Sequence, residues 1–145
     1  MSQREQLLQA IEQDIRQDCS DYLSLRGLMQ ELYQQLLKRD SQQIDLLNQQ
    51  ILGLVEDVRA RAGRRSKILA AFRLGSGAEG MEQLFDLLPP VRRTHLRQTW
   101  QQLGQLAGQC KRLNDRNGKL LAMHHEIISQ LLGEADDHLY GPQSY

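Results

Sequence analysis

The chain has 145 residues, with 26 leucines, 20 glutamines, 5% aromatic residues, and 18 basic residues against 18 acidic ones. This length bounds it to one domain, and the charge balance excludes the overall basic excess that nucleic-acid binders use against phosphate. Leu and Gln favour helix while β-branched and aromatic residues are scarce, so the composition specifies an all-α protein with narrow apolar stripes between elongated helices.

The first predicted helix spans about residues 3–39. Leu8, Ile11, Ile15, Tyr22, Leu25, Met29, Leu32 and Leu36 follow alternating steps of three and four, a heptad seam in which Asp18, beside Cys19, fills one slot. Lys38-Arg39 places positive charge at a helix C-terminus, and Asp40-Ser41 offers N-caps for the next helix. The seam restarts there with Ile44, Leu47, Ile51, Leu54 and Val58, so a short turn joins antiparallel neighbours. The alternative is one continuous helix through residue 40. The second helix, about 41–73, weakens at Arg59–Arg65 and recovers at Ile68, Leu69 and Phe72.

Gly75-Ser76-Gly77-Ala78-Glu79-Gly80 reads as a loop, and residues 81–88 as a short helix ended by Pro89-Pro90. The last helix covers about 91–132. Leu96, Leu103, Cys110, Asn117, His124 and Leu131 recur every seven residues, with Thr99, Leu106, Leu113, Leu120 and Ile127 between them. Gly133 reads as its C-cap, and residues 134–145 as a mobile acidic tail. The expected fold is therefore an elongated antiparallel helical bundle, or coiled coil, of three long helices with one short helix, spanning residues 1–133.

The stretch from Arg112 to Leu121 is unusual for a helix interior. Asn competes with the backbone for hydrogen bonds, and Gly costs about 1 kcal/mol against Ala. A buried seam Asn117 fixes register and partner choice. Alternatively, Asn114, Asn117 and Gly118 form a close-approach or flexible point where a partner docks. The cluster Arg59, Arg61, Arg64, Arg65, Lys67 and Arg73 is either an anion site or, as charge runs usually are, a solvated face. Glu5, Glu12, Asp14 and Asp18 face it if the first two helices are antiparallel.

His124 and His125 point about 100° apart on a helix and do not converge on a metal. His95 and His124 lack the Lys and Gly that follow a phosphotransfer histidine. Cys19 and Cys110 read as small core residues, too few for a disulfide framework. No nucleophile motif or P-loop is present, and no apolar run approaches the roughly 20 residues of a membrane span. The start lacks the layout of a secretory signal, so the expected location is the cytoplasm.

The order of these features resembles the FlgN family of flagellar export chaperones. The match rests on the Leu-rich helix pair turning near Asp40, the Gly-rich segment before Pro89-Pro90, the last helix with Trp100-Gln101-Gln102-Leu103, Cys110 and Asn114-x-x-Asn117-Gly118-x-Leu120-Leu121, and the closing Leu139-Tyr140-Gly141-Pro142. Gln143-Ser144 departs from the Gly often found there. The resemblance implies a non-enzymatic cytoplasmic chaperone without cofactors. It would bind the hook–filament junction proteins FlgK and FlgL and deliver them to the flagellar type III export apparatus, including the gate protein FlhA. It places the client surface in the C-terminal part, over Asn114, Asn117, Gly118, Leu120, Leu121, Ile127, Ile128, Leu131 and Leu132, and an export-gate contact at Tyr140. The apolar pairs Leu120-Leu121, Ile127-Ile128 and Leu131-Leu132 widen the stripe beyond one narrow seam. Without the resemblance, the reading is a helical signalling or phosphotransfer-type bundle or another coiled-coil adaptor, or a nucleic-acid module using Arg59–Arg73.

Overall fold

The structure, a computed structural model, describes the backbone of residues 2–135 and the side chains of residues 2–123. It contains α1 (Gln3–Lys38), α2 (Ser41–Ala71), α3 (Gly77–Phe85) and α4 (Pro90–Ala135). Ser2 caps α1 by accepting from the Glu5 amide, and Asp40 caps α2 by accepting from the Gln43 amide.

Both α1 and α2 end in the same way. The amides of Arg39 and Asp40 return to the carbonyls of Leu36 and Gln35, and those of Arg73 and Leu74 return to Ala70 and Leu69. These are Schellman motifs, and Arg39 and Arg73, both at φ 58°, occupy the left-handed position that glycine usually fills.

Helix α1 is the central element. Asp14 on α1 pairs with Arg64 on α2, while Leu32 and Leu36 cluster with Leu47, so these helices run antiparallel. Helix α4 runs the other way. Glu12 pairs with Arg92, Cys19 meets Thr99, and Asn117 meets Met29, so α1 and α4 are parallel. The sequence expectation of an antiparallel bundle describes α1 and α2 but not α1 and α4, the most extensive helix pair in the molecule. The path is up, down, up. Among the described residues, α2 and α4 each pack on α1 but their backbones do not pack on one another.

The short helix closes one end. Met81, Leu84, Phe85 and Leu88 join Leu8, Ile11 and Ile15 of α1, Ile68 and Leu69 of α2, and Leu96 of α4 in a single core. Arg93 donates to the carbonyls of Phe85, Asp86 and Leu88, which satisfies the C-terminal end of α3 from the first turn of α4. Pro90 stands at the first position of α4, where its missing N–H costs nothing.

Two boundaries differ from the sequence expectation. The short helix spans 77–85 instead of 81–88. Gly80 is inside it because a Cβ there would lie 1.7 Å from the Gly75 carbonyl oxygen, so close backbone approach rather than loop flexibility explains this glycine. At the other end, α4 does not stop at Gly133 but continues to Ala135. Residues 136–145 of the expected tail lie outside the described residues.

Candidate functional site

The seam of α4 uses polar groups to hold α1 closely. The thiol of Cys19 on α1 donates to the carbonyl of Thr99 on α4, at 3.5 Å. Cys110 on α4 returns the contact to the Tyr22 carbonyl at 3.4 Å, and Asn117 Nδ2 donates to the Met29 carbonyl at 2.8 Å. Burial raises both thiol pKa values, aided at Cys19 by the charge of Asp18, so both cysteines stay neutral and unreactive. Asn117 is 3% exposed, and its Oδ1 has no hydrogen-bond partner. A half-satisfied amide in an apolar seam costs stability, and it marks one alignment of α1 against α4.

The arginines of α2 are largely committed to α1. Arg64 holds Asp14 through two bonds of 2.6 Å. Asp18, with its side chain 1% exposed, accepts from Arg61 and Arg65, and Arg61 also reaches Asp21. Arg65 lies over the Trp100 ring, 5.2 Å from its centroid, which links α2 to α4 through a cation–π contact. This network explains why Asp18 occupies a seam position. It removes Arg61, Arg64 and Arg65 from a candidate anion site and leaves Arg59 and Lys67 exposed. Glu5 and Glu12 pair with Arg92 of α4 instead.

Because α2 and α4 diverge across α1, a cleft of about 680 Å³ opens between them. Its floor is Tyr22, Leu25 and Met29. One wall is Ile51, Val55, Val58 and Ala62; the other is Trp100, Gly104, Ala107 and Cys110. Arg59, Lys111 and Asn114 stand on its rim. At a rise of about 1.5 Å per residue, the stretch from Trp100 to Asn114 makes it about 21 Å long.

The sequence-predicted site residues divide. Asn114 is exposed at the mouth of this cleft, whereas Asn117 is buried against α1. Gly118 is exposed in an uninterrupted helix, and a Cβ there would meet nothing within 4 Å. Leu120 packs against Leu32, Leu36 and Leu47, while Leu121 is 42% exposed. The side chains of Ile127, Ile128, Leu131 and Leu132, and all of Tyr140, lie outside the described residues. Sequence reasoning missed the cleft walls. Their trace in the sequence is slight: the α2 seam thins from Val55 onward, and α4 places Gly104 and Ala107 where larger residues would fill the gap.

The level of Leu120 is informative. It packs on the cluster of Leu32, Leu36 and Leu47 near the end of α1, yet α4 continues to Ala135. The last 15 residues of α4 therefore carry the helix about 22 Å beyond that level. The heptad pattern persists along this extension in Ile127 and Leu131, where α1 has ended and α2 has only begun.

The family described as FlgN protein matches residues 1–143. The chain belongs to the FlgN family. FlgN proteins are flagellar export chaperones, which fits an all-helical molecule whose last helix continues to Ala135. No curated protein and no solved structure matches the chain. Among the described residues, no FlgN helix is long and apolar enough to cross a membrane.

Proposed function

We propose that this FlgN protein is a cytoplasmic chaperone that holds the junction proteins FlgK and FlgL and passes them to the type III export apparatus, with Tyr140 contacting a component such as FlhA. The observation that carries this reading is the length of α4, whose backbone continues to Ala135 beyond the bundle end at which Leu120 packs. An amphipathic helix of a client supplies what is missing there, an apolar stripe to lie against Leu121, Ile127, Ile128, Leu131 and Leu132. Covering that stripe prevents a coiled-coil-forming client from self-associating before export. Asn114, Gly118 and Leu120 lie at the bundle end of the same surface, and Asn117 fixes the angle at which α4 leaves the bundle.

The test is co-expression with FlgK and FlgL followed by size exclusion. The Leu131→Asp, Leu132→Asp double variant is expected to keep its helicity and melting temperature and to lose the complex. Global unfolding of that variant would place these leucines in the core and overturn the client surface. Failure of the intact chain to hold either protein would overturn the chaperone assignment for these partners. A chain truncated before Asn114 is a poorer reagent, because it also removes Asn117 and Leu120 from their contacts with α1.

A further inference from the structure

The cleft between α2 and α4 has the dimensions of a missing helix. Its walls are two helices whose backbones, among the described residues, do not pack on one another, and its floor is a third. Packed helices stand about 8–10 Å apart, so a helix seated between α2 and α4 completes a four-helix arrangement with the three long helices. At about 21 Å the cleft accepts about 14 residues of such a helix. The walls admit a close approach. Ala62 on α2 and Gly104 and Ala107 on α4 are small, and a Cβ on Gly104 would meet nothing within 4 Å.

The groove is apolar within and cationic at its edges. Leu25, Met29, Ile51, Val55 and Val58 line it, and the charge of Asp18 is neutralised by Arg61 and Arg65. Arg59 and Lys111 stand exposed on opposite walls, and among the described residues neither has an ion-pair partner. Arg61, Arg64 and Arg65 of α2 and Arg92 and Arg97 of α4, by contrast, are all paired. An occupant that satisfies both features has an apolar face with a carboxylate on each side of it. An amphipathic helix has this layout, because the positions flanking its apolar seam project along both walls. A fatty acid has the apolar body but a single carboxylate, which meets one wall.

We propose that the α2–α4 cleft is a docking groove for an amphipathic helix of about 14 residues with acidic residues along both edges of its apolar stripe. On the client reading above, on which this step rests, that helix belongs to the exported client, which is then held at the cleft as well as at the α4 end. Two linked contacts lengthen the residence of one client, because the second forms at the effective concentration set by the first.

The experiment has two arms, both on the full chain. The first titrates a labelled synthetic helical peptide with leucines at helical spacing and glutamates flanking them, beside the same peptide with flanking lysines, and follows fluorescence anisotropy. The glutamate peptide should bind about tenfold more tightly, and the difference should shrink as salt rises. Gly104→Leu fills the groove. It should raise the melting temperature by about 2–4 °C, since leucine is the better helix former, yet weaken peptide binding about tenfold. Arg59→Glu with Lys111→Glu should reverse the preference between the two peptides. The second arm measures the complexes with FlgK and FlgL, which the same variants should weaken about tenfold. Equal binding of the two peptides, or binding indifferent to Gly104→Leu, overturns the groove. Client complexes indifferent to both variants overturn its assignment to a client. An intact chain that binds the glutamate peptide but neither FlgK nor FlgL sinks the client reading and leaves the groove standing.

Discussion

The two ends of this bundle are built differently. At the α3 end, four helices converge, and Ile11, Ile15, Leu84 and Phe85 are fully excluded from solvent. At the α1–α2 turn, the core thins to Leu32, Leu36 and Leu47 with half-buried Leu28, Ile44, Ile51 and Leu120 around it, and α4 runs on past the turn. Between the ends, α2 and α4 part to leave the cleft. One end therefore carries much of the cooperative stability, and the other keeps apolar surface available. On the proposed function this separation is useful, because a client can engage the α4 end without opening the core that holds the fold.

The sharpest test of this contrast is a pair of cavity mutations. Phe85→Ala removes a fully buried ring and is expected to cost about 4 kcal/mol, the range for core aromatic truncation. Leu47→Ala, at the thinner end, is expected to cost about 2 kcal/mol. Chemical denaturation checks both, and equal losses would break the comparison. The next effect lies in the ionic network. Asp18→Ala leaves Arg61 and Arg65 without their shared carboxylate in a site where their side chains are 13% and 17% exposed, and should cost about 3 kcal/mol. Asp14→Ala loses a partner whose guanidinium is 57% exposed and should cost less than about 1 kcal/mol. Melting curves of the two variants should be clearly separated. Coincidence would show that the network acts as a solvated charge face rather than as part of the α3-end core.

Much of the fold was legible because heptads record which residues share a face. The α1 seam, its interruption by Asp18, the Asp40 cap and the heptad positions of Cys110 and Asn117 are all visible in order along the chain. The pairing of α1 acids with α2 arginines was legible only in part: Asp14 and Asp18 do meet Arg64, Arg61 and Arg65, but Glu5 and Glu12 pair with Arg92 of α4, and Asp21, which also reaches Arg61, was not foreseen. Heptads do not record which neighbour a face meets. The parallel α1–α4 pairing and the parting of α2 from α4 depend on how far the side chains of three helices fill the space between them, so the cleft left little sequence signal. Gly80 misled because glycine penalises helices on average, and its reason, contact with the Gly75 carbonyl, exists only in three dimensions. The α4 extension was legible as doubled apolar residues, but its relation to the bundle end required the packing of Leu120 on the Leu32, Leu36 and Leu47 cluster.

The smallest expected effect sharpens the comparison from the thin end. Arg39 holds the left-handed conformation at φ 58° in the turn between α1 and α2, where an L side chain crowds its own backbone. Arg39→Gly relieves that crowding but gives the unfolded chain more freedom, so the net gain should be about 0.5–1 kcal/mol. Arg73→Gly makes the same local change at the end of α2, beside the α3 core. If the thin end opens locally while the α3 end opens only with the whole molecule, Arg39→Gly should slow hydrogen exchange chiefly in the last turns of α1 and first turns of α2. Arg73→Gly should slow it wherever exchange requires global unfolding. Identical exchange patterns for the two variants would mean that the bundle opens as one unit, and the division of labour between its ends would have to be abandoned.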